Sequence, residues 1–277
     1  MRQSPVHRPH AEAPARLTRR PDPDGRALPG VERCRIEFVS RGDFVPGRLA
    51  LPRSTGEAGG PLLLVAHALS DSCAGEAVES LLGWAAEGIA VAAIDLPLHG
   101  VRSSPKLSAR LVEAWRTLAA GGEVDAERWA LVEEFARQAT SDWIRCLDAL
   151  GEEPGIDARR VGFLGLGLGA IVGAWLLAHD VRIRAAAFVW TGANERLGAL
   201  DPSAWLAREG DVDKLFVRAG HGDLFPAEDT QRVADGATPP KRLVRFDDEA
   251  PAPGRPPRLP ARAATEIRSF FRETLGV

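Results

Sequence analysis

The sequence predicts an α/β fold whose mostly parallel sheet has helices on both faces. Continuous apolar runs, such as 61–67 and 89–95, alternate along the chain with segments of helical periodicity such as 126–150. Such runs are typical of parallel strands that are buried on both faces. Two earlier segments, 31–40 and 44–52, alternate apolar and polar residues and predict antiparallel strands at one edge of the sheet. The pattern predicts about eight strands, at 31–40, 44–52, 61–67, 89–95, 160–167, 183–191, 214–220 and 242–247.

The length and composition favour one large domain. The chain has 277 residues, of which 45% are hydrophobic, and this is enough for a substantial core. Residues 1–30 are rich in Arg and Pro and lack the apolar stretch of a secretory signal, so we expect a disordered leader. Residues 31–277 are then expected to form a single domain. After the fourth predicted strand, a helical segment at 106–120 predicts a short insertion at about 101–125.

The charge and the cysteines exclude some classes of function. The formal net charge is −3, which argues against a nucleic-acid or anionic-membrane partner, because such partners require a basic surface. No apolar run approaches the ~20 residues that a membrane-spanning helix needs. Cys34, Cys73 and Cys146 are widely spaced and odd in number, which favours a reducing compartment, and we expect a cytoplasmic protein.

Candidate functional residues follow the predicted strands. In an open α/β sheet, ligands bind beyond the carboxyl ends of the strands. The third and fourth predicted strands lead into 67–71 (HALSD) and 95–103 (DLPLHGVRS). The fifth leads into the glycine-rich turn at 165–169 (GLGLG), and the seventh leads into 220–226 (GHGDLFP).

These segments, in this order, resemble those of the α/β-hydrolase family, and within it the dienelactone hydrolase and esterase/peptidase-like branch. The resemblance runs from about residue 32 to the end of the chain. It rests on VAHA at 65–68, on the D-x-P-x-H-G-x-R-S segment at 95–103 and on the strand–turn–helix segment at 161–170. It implies an α/β-hydrolase fold and hydrolysis of carboxylic esters by a Ser–His–acid triad with backbone oxyanion donors.

The resemblance assigns the catalytic positions one residue at a time. The nucleophile position is Gly167, which has no side chain, and the acid position is Asp223. The oxyanion donors are the N–H groups of Ala68 or Leu69 and of Leu168. The loop after the last predicted strand should hold the base, but the last histidine in the chain is His221. We therefore expect a protein that is inactive as a serine hydrolase. In the strained elbow conformation, glycine relieves a cost of about 1–3 kcal/mol that another residue would carry.

The same residues leave other functions open. Gly165 to Ala170 also fit G-x-G-x-x-A, but a dinucleotide site needs an acidic residue at the end of the next strand, and the nearest is Glu195. Cys73, just before a predicted helix, is a candidate substitute nucleophile for an active hydrolase of small esters. A hydrolytic metal site would draw its ligands from a set of His and Asp side chains at the strand ends. That set is His67, Asp95, His99, His221 and Asp223.

A further alternative is a protein that binds an anion or a carboxylate. The elbow amides would provide one part of the site, and Arg255 or Arg258 would pair with the carboxylate. We expect a small acyl or carboxylate ligand and neither a cofactor nor a metal. The sequence does not predict the oligomeric state. Pocket candidates are His67, His99, His221 and Trp115, the last because the insertion could cover the pocket.

Overall fold

A computed structural model describes residues 15–53, 59–208, 211–219, 224–246 and 259–277. Its nine strands are β1 Thr18–Pro21, β2 Val31–Ser40, β3 Asp43–Pro52, β4 Gly60–Ala66, β5 Ala90–Ile94, β6 Ile156–Leu166, β7 Ile183–Val189, β8 Asp213–Ala219 and β9 Lys241–Phe246. They form one sheet in the order β1-β2-β3-β5-β4-β6-β7-β8-β9. The neighbouring pairs among β1, β2, β3 and β5 are antiparallel, whereas those from β5 through β4 to β9 are parallel.

The predicted fold class is confirmed, because all eight predicted strands are present in a mostly parallel sheet. The apolar runs became the central strands, and every residue of β4 and β5 is buried. The alternating segments became β2 and β3 near the edge, where β2 alternates buried apolar residues with exposed polar ones. The pattern of each segment thus matches the number of its faces that are covered.

The prediction that residues 1–30 form a disordered leader is wrong for β1. Thr18–Pro21 pairs with β2 in antiparallel register and adds a ninth strand at the edge. Arg19 on this strand forms ion pairs with Glu32 at 2.6 Å and with Glu153 at 2.8 Å. Backbone pairing and ion pairs therefore hold this polar strand without much apolar burial. Residues 1–14 lie outside the described residues.

The helices cover both faces of the sheet. They are α1 Glu76–Leu82, α2 Pro105–Ala119, α3 Ala126–Gly151, α4 Leu168–Leu177, α5 Pro202–Leu206, α6 Ala227–Gly236 and α7 Ala261–Leu275. Buried residues of α2, α3, α4 and α6 share one apolar cluster with the sheet, and those of α1 and α7 share another. The sequence pattern predicts no helix at 227–236, and the structure shows that this is wrong. Within the described residues, no helix combines the length and the apolar character that crossing a bilayer requires.

The predicted insertion after β5 contains helix α2. Proline is the first residue of this helix. It suits that position because an N–H there would have no acceptor within the helix, and proline has none. Trp115 on α2 is fully buried, and its ring lies 6.0 Å from that of Phe135 and 6.3 Å from that of Trp175. Asn194, in the loop after β7, donates to the carbonyl of Leu118 at 2.9 Å. The insertion is thus packed onto the domain through its apolar face.

Candidate functional site

Gly167 occupies the sharp turn between β6 and α4. Its φ of +53° and ψ of −112° belong to a region that side-chain-bearing residues rarely adopt. Its N–H donates to the carbonyl of Val189 at 2.9 Å, and its own carbonyl accepts from Ala170 at 3.0 Å. A strand that turns into a helix through one strained residue is the geometry of a nucleophile elbow.

The two flanking glycines have a steric role. A Cβ on Gly165 would lie 2.5 Å from the carbonyl oxygen of Gly169 and from the Cα of Ala170. A Cβ on Gly169 would lie 2.3 Å from the carbonyl oxygen of Ala66 at the end of β4. The outer glycines therefore allow close backbone approach, whereas the central one allows the dihedral angles. The turn thus has the backbone form of an elbow, and its central residue carries no hydroxyl.

The close approach at Gly169 brings the start of α4 next to the loop after β4, which holds the predicted oxyanion donors. In this loop, Asp71 donates its N–H to the carbonyl of Ala68 at 3.2 Å and closes a turn in which Ser70 has a φ of +62°. Neither the N–H of Leu69 nor that of Leu168 donates to another described residue. Leu168 begins α4, so its N–H also lies at the positive end of the helix dipole. Two amide donors are thus available beside the elbow, although their assignment to an oxyanion site stays a prediction.

Both ring nitrogens of His67 form hydrogen bonds with backbone groups. The N–H of Leu96 donates to its Nε2 at 3.1 Å, so the proton of the neutral ring is on Nδ1, which donates to the carbonyl of Ala68 at 2.8 Å. The side chain is completely buried, and burial lowers its pKa. Neither nitrogen can accept a proton from a nucleophile or bind a metal ion without breaking one of these bonds.

His99 has a comparable position after β5. Its Nδ1 lies 2.8 Å from the carbonyl of Pro97, which can only accept, so Nδ1 donates and Nε2 keeps its lone pair. The ring lies 5.3 Å from that of His67. Burial, with a smaller contribution from His67, lowers its pKa to about 4. His99 lines a cavity of about 450 Å³ together with Ser70 and Asp71, so this pocket candidate does reach the edge of an open space.

Asp95 joins the loops that follow β4 and β5. Its Oδ1 accepts from the N–H of Cys73 at 2.8 Å, and its Oδ2 accepts from the N–H of Val101 at 2.9 Å. Arg102 donates to the carbonyl of Asp95 at 2.9 Å and to the carboxylate of Asp142 at 2.7 Å. The sequence pattern assigns no role to Arg102. The signal was its position in the segment 95–103, seven residues after Asp95. Through these contacts the segment at 95–103 stabilises the loops after β4 and β5.

The hypothesis of a Cys73 nucleophile is not supported by its surroundings. The side chain is buried, and burial raises the pKa of its thiol, with Asp95 raising it further. A thiolate, which is the reactive form, is therefore disfavoured. Cys73 also lies three residues before α1 begins at Glu76, so it gains little from that helix terminus.

Other predicted residues are distributed as follows. Trp115 faces the core, so it does not cover an open pocket. His221, Asp223, Arg255 and Arg258 lie outside the described residues. In the described part of the chain, no group of three or more His, Cys, Asp or Glu side chains could hold a metal ion. The dinucleotide pattern stays incomplete, since Glu195 lies beyond the end of β7 at the start of a 3₁₀ turn, Glu195–Leu200.

No protein-family model matches the chain, and no curated protein matches it in sequence. Solved structures do match. An acetyl xylan esterase from Paenibacillus sp. R4 has a TM-score of 0.71 at 16% identity, over 95% of this chain and 90% of that one. A cold-adapted esterase from an Arctic intertidal metagenomic library has a TM-score of 0.66 at 19% identity, over 92% and 99%. A protein described as a dienelactone hydrolase from Klebsiella pneumoniae has a TM-score of 0.60 at 16% identity, over 88% and 99%.

These similarities confirm the predicted resemblance in structure. The fold is that of the α/β-hydrolases, in the form shared with esterases and dienelactone hydrolases. At such low identity the likeness establishes the fold, and function depends on the site that the fold carries.

Proposed function

We propose that this protein has lost serine-hydrolase activity and uses its elbow to bind a small acyl or carboxylate ligand without cleaving it. The observation that carries the proposal is Gly167, which adopts the elbow dihedral angles with no side chain to attack a substrate. In this proposal the backbone N–H groups beside the elbow bind the ligand, and no side chain at position 167 attacks it.

The lack of a histidine at the predicted position of the base supports the loss of activity. A serine hydrolase needs a histidine that takes the proton of the nucleophile. His67 uses both ring nitrogens for backbone bonds, and His99 uses Nδ1 for Pro97. Residues 247–277, where the resemblance places the base, contain no histidine. Restoring a serine alone would therefore leave its hydroxyl without a histidine in the loop where the resemblance places the base.

The two amides support binding of an oxygen ligand. Backbone N–H groups that have no described acceptor favour a carbonyl or carboxylate oxygen, and a helix N-terminus adds a partial positive charge. The first turn of α4 contains no acidic side chain that would compete for these donors. Leu69 and Leu168 are themselves buried, which keeps the donors in a medium of low dielectric constant.

The test is a titration of the ¹⁵N-labelled protein with butyrate, followed by amide chemical shifts. We expect the Leu69 and Leu168 amides to shift in a saturable manner, and butanol to cause no such shift. Gly167→Ala places a methyl group at the elbow and should weaken the response, whereas Gly236→Ala, at a position with open space, should leave it unchanged. The proposal would be overturned if butyrate changed the chemical shift of neither the Leu69 nor the Leu168 amide. It would also be overturned if Gly167→Ala left the response unchanged.

We also propose a cytoplasmic location. Cys34, Cys73 and Cys146 are all unpaired and buried, as is common where thiols stay reduced. The test is expression of a tagged full-length chain in its host, followed by cell fractionation. Recovery in a compartment other than the cytoplasm would contradict this part of the proposal.

A further inference from the structure

Three arginines lie side by side across the N-terminal strands. Arg20 on β1 is the register partner of Arg35 on β2, and Arg35 is the partner of Arg48 on β3. We call these three residues the arginine row. Like charges that are directly opposite on neighbouring strands destabilise a sheet. The row therefore needs anions to balance it.

The arginine row lines a cavity of about 540 Å³, within the size range of small-molecule sites. The strands β1, β2 and β3 form one side, and the other side comes from Ser72–Ala74 after β4 and from Asp95, Gly100 and Val101 after β5. Pro46 and Val101 give part of the lining an apolar character. Gly167, Leu69 and Leu168 do not line this cavity, so it is separate from the elbow.

Acidic side chains hold two members of the row in place. The Asp22 side chain is fully buried and lies 3.3 Å from the Nε of Arg35 and 3.3 Å from an Nη of Arg48. Asp24 also pairs with Arg35, and Glu79 lies 3.3 Å from Arg48. A guanidinium has five N–H donors, so both arginines keep donors beyond these pairs.

Arg20 differs from the other two arginines. Among the residues that the structure describes, no carboxylate lies within ion-pair distance of it. The acids that line the cavity do not change this, because Asp24 pairs with Arg35, and Asp95 accepts from the amides of Cys73 and Val101. Glu37 belongs to the next register row, opposite Thr18 and Pro46, two residues along β2 from Arg35. Arg20 is thus the member of the arginine row that no described carboxylate neutralises through an ion pair.

We propose that this cavity binds a small organic anion. Its carboxylate or phosphate group lies on the arginine row, and its apolar body packs against Pro46 and Val101. Arginine suits this role because its planar fork of donors matches both kinds of oxyanion. The bound anion completes the charge balance at Arg20 that the described carboxylates leave open.

The test is isothermal titration of the full chain with benzoate, phenyl phosphate and benzyl alcohol. We expect binding of at least one of the two anions and none of the neutral alcohol, and the stronger anion identifies the charged group of the natural ligand. Arg20→Gln should raise the Kd about tenfold, as loss of one charge-assisted contact implies. The matched control is Arg184→Gln, an exposed arginine on β7, which should leave the Kd unchanged.

Both replaced arginines are exposed, so neither variant should affect folding. Failure of both anions to bind would overturn the proposal, as would a Kd that Arg20→Gln leaves unchanged. Binding that is lost in Gly167→Ala but kept in Arg20→Gln would assign the anion to the elbow instead. The two variants therefore test binding at the elbow and binding at the arginine row separately.

Discussion

At the scale of single residues, the glycines of the elbow divide between two physical roles. Gly165 and Gly169 are required by contact, because a Cβ on either would meet backbone atoms at 2.3–2.5 Å. Gly167 is favoured by its dihedral angles, with a φ of +53°. The distinction matters for function, since a hydrolase with the same backbone would carry its nucleophile at the central position and accept the strain.

Replacing these glycines should therefore have graded effects. Gly169→Ala should lower the free energy of unfolding by about 3 kcal/mol, because its methyl group meets the backbone of β4. Gly167→Ala should cost about 1–2 kcal/mol because of the positive φ. Gly236→Ala is the control, with no atom near its added Cβ and a change expected within about 1 kcal/mol. Urea unfolding measures all three, and equal losses at 167 and 169 would contradict the division of roles.

His99 should make the stability depend on pH. Burial lowers its pKa to about 4 in the folded protein, whereas an unfolded imidazole titrates near pH 6.5. Between these values the unfolded chain binds a proton that the folded chain does not, so stability is complete above about pH 6.5 and falls as the pH drops towards 4. The loss attributable to His99 is at most about 3 kcal/mol.

The measurement is urea unfolding of the wild type and His99→Gln between pH 4.5 and 7.5. We expect a shallower dependence in the variant, which lacks the titrating group. A dependence on pH identical to that of the wild type would show that His99 has an ordinary pKa in the folded state.

The sequence predicted which residues follow the strands but not how they are bonded. His67, His99 and Asp95 were placed correctly at the strand ends, yet their patterns did not decide between binding a ligand and bracing a loop. That decision depends on which amides and carbonyls lie within about 3 Å, and these come from other loops. Asp223 and His221 lie outside the described residues, so their predicted positions in the site stay predictions.

At the scale of secondary-structure elements, the edge strand β1 shows how charge can hold a polar segment. Asp22, just after β1, is fully buried among Arg33, Arg35 and Arg48. Arg33 and Arg48 also reach Glu79 on α1, so one charged cluster joins the edge strands to the first helix. A buried ion pair that loses one partner is strongly destabilising, because the other charge then stays buried without balance.

This cluster provides a test at the level of the element. Asp22→Asn should lower the free energy of unfolding by about 3 kcal/mol, since Arg33 and Arg48 are mostly buried. Asp24→Asn is the matched control, because Asp24 also pairs with Arg35 but is exposed, and its loss should stay below about 1 kcal/mol. Urea unfolding measures both variants. Similar losses in the two would show that burial of Asp22 contributes nothing special.

The two elements that the sequence analysis missed share a cause. β1 reads TRRP and is too short to show an alternating pattern, whereas α6 reads AEDTQRVADG and has only Val233 as a large apolar residue, so neither gives a strong apolar signal. β1 forms because β2 offers it a free edge, and α6 because it packs beside β8 and the loop after β7, where Thr230 donates to the carbonyl of Thr191 at 2.8 Å. Such tertiary causes are not visible in local periodicity.

At the scale of the whole molecule, the sheet is the part that the sequence predicted best. The apolar runs of β4, β5, β7 and β8 leave few alternatives to buried parallel strands. The resemblance, rather than periodicity, carried the expectation of the α/β-hydrolase fold, and the solved esterase structures share that fold at 16–19% identity. A fold shared at this distance leaves the activity to be decided by the site.

The loss of serine-hydrolase activity is tested by the turnover of p-nitrophenyl acetate and butyrate by the purified wild type and by Gly167→Ser. We expect no hydrolysis above the buffer rate for the wild type, because position 167 carries no side chain that could attack the ester. We expect none for Gly167→Ser either, because residues 247–277, where the resemblance places the base, contain no histidine. Turnover that co-purifies with the wild-type protein would contradict the claim, and turnover gained only in Gly167→Ser would show that a competent base is present after all.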